Sequence, residues 1–134
     1  MRISKSIIYL IIFIFSVSGS FSLAEDYSDS DITKVVMLGS GNPFPDPKRS
    51  GPSVAIVVND VPYLFDAGAG VWQATGAATP KYGGTVKALE SGNISKVFIT
   101  HLHSDHVVGL PSLILLPWAL GREAPLEVWG PPGT

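Results

Sequence analysis

Cysteine is absent from all 134 residues. The chain can form no disulfide and offers no thiolate, so any metal site must be built from histidine and carboxylate. Histidine is itself scarce, and all three copies fall between residues 101 and 106. Basic residues number nine against eleven acidic ones. No excess of positive charge draws polyanions to the surface, so nucleic acid is not expected as a partner. The uninterrupted apolar run Ile7 to Phe15 is about half the ~20 residues a spanning helix needs, so a stable membrane anchor is not expected either.

That run has a basic start (Arg2, Lys5) and is followed by a polar stretch ending Ser22-Leu23-Ala24. Residues 1–24 therefore read as a secretory signal peptide cleaved near Ala24, and the product is expected to be exported, periplasmic or secreted. A retained anchor is the competing reading, and the shortness of the run weighs against it. Cleavage leaves seven basic and eleven acidic residues, a formal charge of −4. Residues 25–31, EDYSDSD, are polar and acidic and read as a flexible leader.

Residues 32–134 carry the folding signals. The β-branched run 32–38, ITKVVML, predicts a strand stopped at Gly39. Residues 39–53, GSGNPFPDPKRSGPS, are too rich in glycine and proline for helix or central strand, and a loop of that length is usually functional or disordered. Strands at 53–58 and 61–67 flank Asn59-Asp60, a hairpin signal. A helical run is expected over 85–92, ending at Gly92, and a strand buried on both faces over 95–100. The apolar stretch 107–121 predicts a buried helix kinked at Pro117, or two short helices, and PLEVWG, 125–130, a last strand.

The strand over 95–100 runs straight into HLHSDH, residues 101–106. Side chains on a strand alternate, so His101, His103 and Asp105 can share one side while His106 reaches a neighbouring position as the chain turns. A single histidine is usually a surface residue or a hydrogen-bonded core residue. Four candidate ligands in six residues, behind an apolar strand, point instead to a metal, because gathering so many polar groups without one costs several kcal/mol, roughly 2–7 for each unpaired group. Neutral imidazole is available near neutral pH without special tuning.

HLHSDH resembles the His-x-His-x-Asp-His motif of the metallo-β-lactamase superfamily. YLFDAGAG, 63–70, is similar to the strand-plus-aspartate motif that precedes it there, with Asp66 in the aspartate position. VVMLGSGNPFPDPKRSGPS and the terminal VWGPPGT resemble the ribonuclease Z and arylsulfatase-like branch, with Ser40 where threonine is usual. The resemblance covers essentially all of residues 32–134. It implies an α/β fold, an αββα sandwich with its metal site at the strand ends, of which these residues form the N-terminal half: one mixed sheet with flanking helices. It implies two zinc ions, with His101 and His103 on the first and Asp105 and His106 on the second. Asp105 would also orient a metal-bound hydroxide, and Asp66 would hold the ligands from behind. A strand-end aspartate capping a glycine turn is the other reading of Asp66.

The superfamily completes its site with a third histidine, a bridging aspartate and a further histidine downstream. No histidine follows His106, and the later acidic residues are Glu123 and Glu127. The expectation is a truncated, N-terminal part of a domain, exposing the sheet face meant for a partner sheet and binding zinc weakly, without turnover. For the whole protein the resemblance implies a phosphodiesterase or related ester hydrolase; the signal peptide and the charge of −4 weigh against transfer-RNA processing and favour a small-molecule phosphodiester or sulfate ester. Lactone or β-lactam hydrolysis and a non-catalytic metal-binding role are the alternatives, and homodimer formation is left open.

Overall fold

The computed structural model describes residues 32–134. The expected signal peptide and leader lie outside the described residues. Five strands form one mixed sheet in the order β1 (Lys34–Gly39), β2 (Ser53–Val58), β3 (Val61–Phe65), β4 (Lys96–Phe98) and β5 (Glu127–Trp129). The first three run antiparallel and the last two join parallel. Asn59 and Asp60 take φ of 49° and 59°. Two successive left-handed residues match the strand twist, which is why this pair closes β2 onto β3.

The parallel pairings require crossovers, and these carry the helices. Helix α1 (Val71–Ala78) links β3 to β4; α2 (Ser104–Val107) and α3 (Leu110–Ala119) link β4 to β5. Helices and sheet enclose one core, in which Leu64 and Val97 meet Val71, Leu89, Ile94 and Leu113. Strand alternation sends Ala55, Val57, Leu64 and Val97 into this core. The opposite face carries Val35, Met37, Ile56, Tyr63, Phe65, Phe98 and Trp129, of which Val35 and Met37 are about two-thirds exposed, at 69% and 65%. Across it Phe98 stacks between Phe65 and Trp129, with ring centroids 5.2 and 4.7 Å apart.

One helix was not expected at all, and three expectations need correction. Helix α1 lies in VWQATGAA, where Val, Thr and Gly depress helix propensity. It forms because burial of Val71 and Thr75 overrides propensity, and it stops at Thr79, whose N–H and Oγ1 both donate to Gly76 O before Pro80. Residues 85–92 are two 3-10 turns, Lys87–Leu89 and Ser91–Asn93, where a helical run was expected. The apolar stretch after the histidines forms one helix, α3, with Pro117 inside it, since α2 lies in the histidine motif and reaches only Val107; of α3 only Leu113 and Pro117 are buried, while Trp118 is 71% exposed. β4 is likewise fully buried only at Val97.

Pro117 lies inside α3, and lacking an N–H it cannot pair with the Leu113 carbonyl. The buried Arg122 supplies the missing donor, Nη1 donating to Leu113 O at 2.7 Å, while Nη2 donates to Ile114 O at 2.9 Å and Nε to Ala124 O at 3.0 Å. Burial pulls the guanidinium's pKa below its ordinary value. Carbonyl dipoles stand in for the water it has lost. Among the described residues no helix is long and apolar enough to cross a membrane.

Candidate metal centre

Three loops meet at one end of the sheet: the glycine-proline loop before β2, the turn after β3, and the chain leaving β4. Backbone bonds zip them together. Gly51 N donates to Ala69 O at 2.7 Å, Gly68 N to Pro52 O at 3.0 Å, Ala67 N to His106 O at 2.7 Å and Gly109 N to Ala67 O at 2.8 Å. The approach leaves no room for side chains. A Cβ on Gly109 would collide with Gly68 O, and one on Gly68 with the Gly51 backbone. Glycine is needed there for closeness, not for an unusual φ.

The histidines do not ride on a strand as expected. β4 ends at Phe98, so His101 and His103 lie in irregular chain and Asp105 and His106 fall in the first turn of α2. His106 N donates to His103 O at 3.0 Å, folding the six residues back on themselves. This turn, and not strand alternation, brings the rings together: the His101 centroid is 4.0 Å from that of His106 and 4.6 Å from that of His103. Asp105 Oδ2 is 3.6 Å from His106 Nε2.

Asp66 stands behind the cluster, 8% exposed and at a φ of 62°. Aspartate tolerates this left-handed region better than most residues. Its Oδ1 accepts from Thr100 N–H at 2.8 Å, both its oxygens lie 2.9 Å from Thr100 Oγ1, and Oδ2 is 2.8 Å from His106 Nδ1. Its own N–H donates to Phe98 O and its carbonyl accepts from Ser53 Oγ. The carboxylate thus grips a ring of the cluster directly, and the glycine turn that follows is held by backbone bonds.

Imidazole and carboxylate fit zinc in kind. They fall short in number, since among the described residues no group of three or more such side chains is arranged to hold a metal ion as it stands. On the assignment the motif implies, each ion would find two protein ligands here, where zinc sites use three or four.

Sequence reasoning overlooked what stands beside the cluster. The glycine-proline loop walls an open cavity of about 740 Å³ whose lining includes Phe44, Lys48, Arg49, Ser104 and Asp105. Asp46 orders that loop: its Oδ1 accepts from Lys48 N–H at 2.9 Å and its Oδ2 meets Arg49 Nε at 3.2 Å. The Lys48 N–H, followed by the Arg49 guanidinium, holds the Asp46 carboxyl below the usual carboxylate range. The signal was available in PDPKRS, two cations on a proline-stiffened loop, but their proximity to Asp105 was not.

Comparison with known proteins follows the same lines. The family model described as Anti-Pycsar protein Apyc1 matches residues 33–122. Ribonuclease Z of Mycobacterium marinum is 36% identical over 104 residues, covering 75% of this chain and 34% of the relative. The Mycobacterium avium ribonuclease Z shows the same identity and coverage. Among solved structures, human tRNase Z, short form, matches with a TM-score of 0.62 and 34% identity over 74% of this chain and 35% of its own. The metallo-β-lactamase fold protein YhfI from Bacillus subtilis matches with a TM-score of 0.60 over 76% of this chain and 39% of its own, at 21% identity, a likeness of fold alone. The chain spans about a third of the length of the curated relatives it matches. Its glycine-bound sheet end, its HLHSDH turn and its match across residues 33–122 agree: the chain belongs to the Anti-Pycsar protein Apyc1 family, within the metallo-β-lactamase superfamily and similar to its ribonuclease Z members.

Proposed function

We propose that this chain supplies one part of a two-zinc centre that hydrolyses phosphodiester or sulfate ester bonds, in an exported protein. The observation that supports the substrate class most directly is the cavity lined by Lys48 and Arg49 together with Asp105, where Asp46 pairs with Arg49 and leaves the Lys48 ammonium without that partner. A lysine and an aspartate-held arginine beside a metal centre favour an ester that keeps a negative charge, as phosphodiesters and sulfate esters do, over an uncharged lactone. When bound, zinc would polarise the ester oxygen and acidify water to near-neutral pKa.

The chain's own residues have separate tasks. His101 and His103 would hold one ion, and Asp105 and His106 the other. The Asp105 carboxylate accepts the hydrogen of the attacking water and so aims it. Lys48 and Arg49 bind the ester's anionic oxygens, and Phe44 at the rim of the cavity offers a flat apolar contact to the leaving group.

The names of the relatives, ribonuclease Z and tRNase Z, favour a second reading in which the diester belongs to RNA. The net charge of −4 over residues 25–134 supports the small-molecule reading.

The test is zinc-dependent hydrolysis of bis(p-nitrophenyl) phosphate, p-nitrophenyl sulfate, nitrocefin, a lactone and a precursor transfer RNA. Both this chain and the open reading frame that contains it are assayed. The chain alone is expected to turn over none, and the reading frame one of the first two. Zinc-dependent turnover by residues 25–134 alone would overturn the partial-site reading. Turnover of the RNA alone would replace the substrate class.

A further inference from the structure

Thr100 joins Asp66 to a second histidine. Its Oγ1 lies 2.9 Å from each Asp66 oxygen and 3.1 Å from His101 Nδ1. A hydroxyl has one proton to give, and a carboxylate only accepts. The Thr100 proton therefore goes to Asp66, which leaves Oγ1 facing the ring as an acceptor. His101 Nδ1 must then carry a hydrogen, because two lone pairs at that distance would repel. The same carboxylate faces His106 Nδ1 at 2.8 Å, where the same reasoning puts the proton on Nδ1; Asp105 Oδ2 stands 3.6 Å from the other nitrogen, Nε2, too far for a hydrogen bond to draw the proton there.

We propose that Asp66 sets the tautomer of two histidines at once, His106 directly and His101 through the hydroxyl of Thr100, so that both present an unprotonated Nε2. Thr100 is then a positioning residue. Its backbone N–H holds Asp66 Oδ1 at 2.8 Å whatever the side chain, so the hydroxyl is free for the relay. His103 supplies an internal contrast, since among the described residues no side chain hydrogen-bonds its ring. The value of the free Nε2 atoms to a metal rests on the proposed function. The tautomers themselves do not.

The experiment is side-chain nitrogen NMR of the histidine-labelled full chain at about pH 8.5, well above the ordinary imidazole pKa of about 6.5. His101 and His106 are expected with protonated Nδ1 and bare Nε2, and His103 as a mixture. Thr100→Val should move His101 toward the Nε2–H form that free imidazole prefers, leave His106 in place, and be reversed in kind by Thr100→Ser. A protonated Nε2 on His101 in the unmutated chain overturns the proposal before any variant is made. So does a His101 spectrum that ignores Thr100→Val. In parallel, zinc affinity by chelator competition should fall about tenfold in the valine variant and hold in the serine variant. No zinc binding by the unmutated chain would overturn the expectation that this chain binds zinc weakly, and not the tautomers, because the nitrogen shifts decide those without metal.

Discussion

The two faces of the sheet are made from the same strands and nearly the same residue types, yet they live in different surroundings. On one, Ala55, Leu64 and Val97 are sealed beneath α1 and α3. On the other, Val35 and Met37 stand open and an aromatic row of Phe65, Phe98 and Trp129 packs only sideways. Apolar residues on both faces suit a sheet covered on both sides. Local pattern can thus specify a buried surface without supplying what buries it.

The comparison can be broken or sharpened by substitution, with stability read from urea unfolding of the chain. Leu64→Ala empties a fully buried position and should cost about 2–5 kcal/mol. Arg122→Met leaves the Leu113 carbonyl, already without a helical donor at Pro117, unpaired in the helix layer and should cost about 1–3 kcal/mol. On the open face, a double-mutant cycle between Phe98 and Trp129 should return a coupling of about 0.5–1.5 kcal/mol, since their contact survives without any covering layer. Val35→Thr should shift stability by less than about 0.5 kcal/mol. A loss at Val35 approaching that at Leu64 would mean the open face is covered in solution, and the contrast would fail.

Much of the site could be read from residues. HLHSDH offered four candidate ligands, and Asp66 was identified by the resemblance of YLFDAGAG to the superfamily's strand-plus-aspartate motif. Asn59-Asp60 announced the hairpin because its conformation is a local property. What escaped were contacts between distant segments. Thr100 looked like the last residue of a strand, and nothing local ties its hydroxyl to Asp66, 34 positions earlier. Lys48 and Arg49 stood in a loop whose neighbours no local pattern reveals, and the folded chain sets them on the same cavity as Asp105. Helix α1 was hidden because its propensity is poor and its stability comes from packing.

By itself, then, the sequence determined the chemistry available: no thiolate, three imidazoles within six residues, an aspartate following an earlier strand, and strands apolar on both faces. Tertiary structure decided how those groups meet. A helical turn gathers the rings, three loops close through glycines too near for any Cβ, and one buried carboxylate reaches the cluster from another strand. Residue type fixes what a group can donate or accept, but only packing fixes which group stands within hydrogen-bond distance.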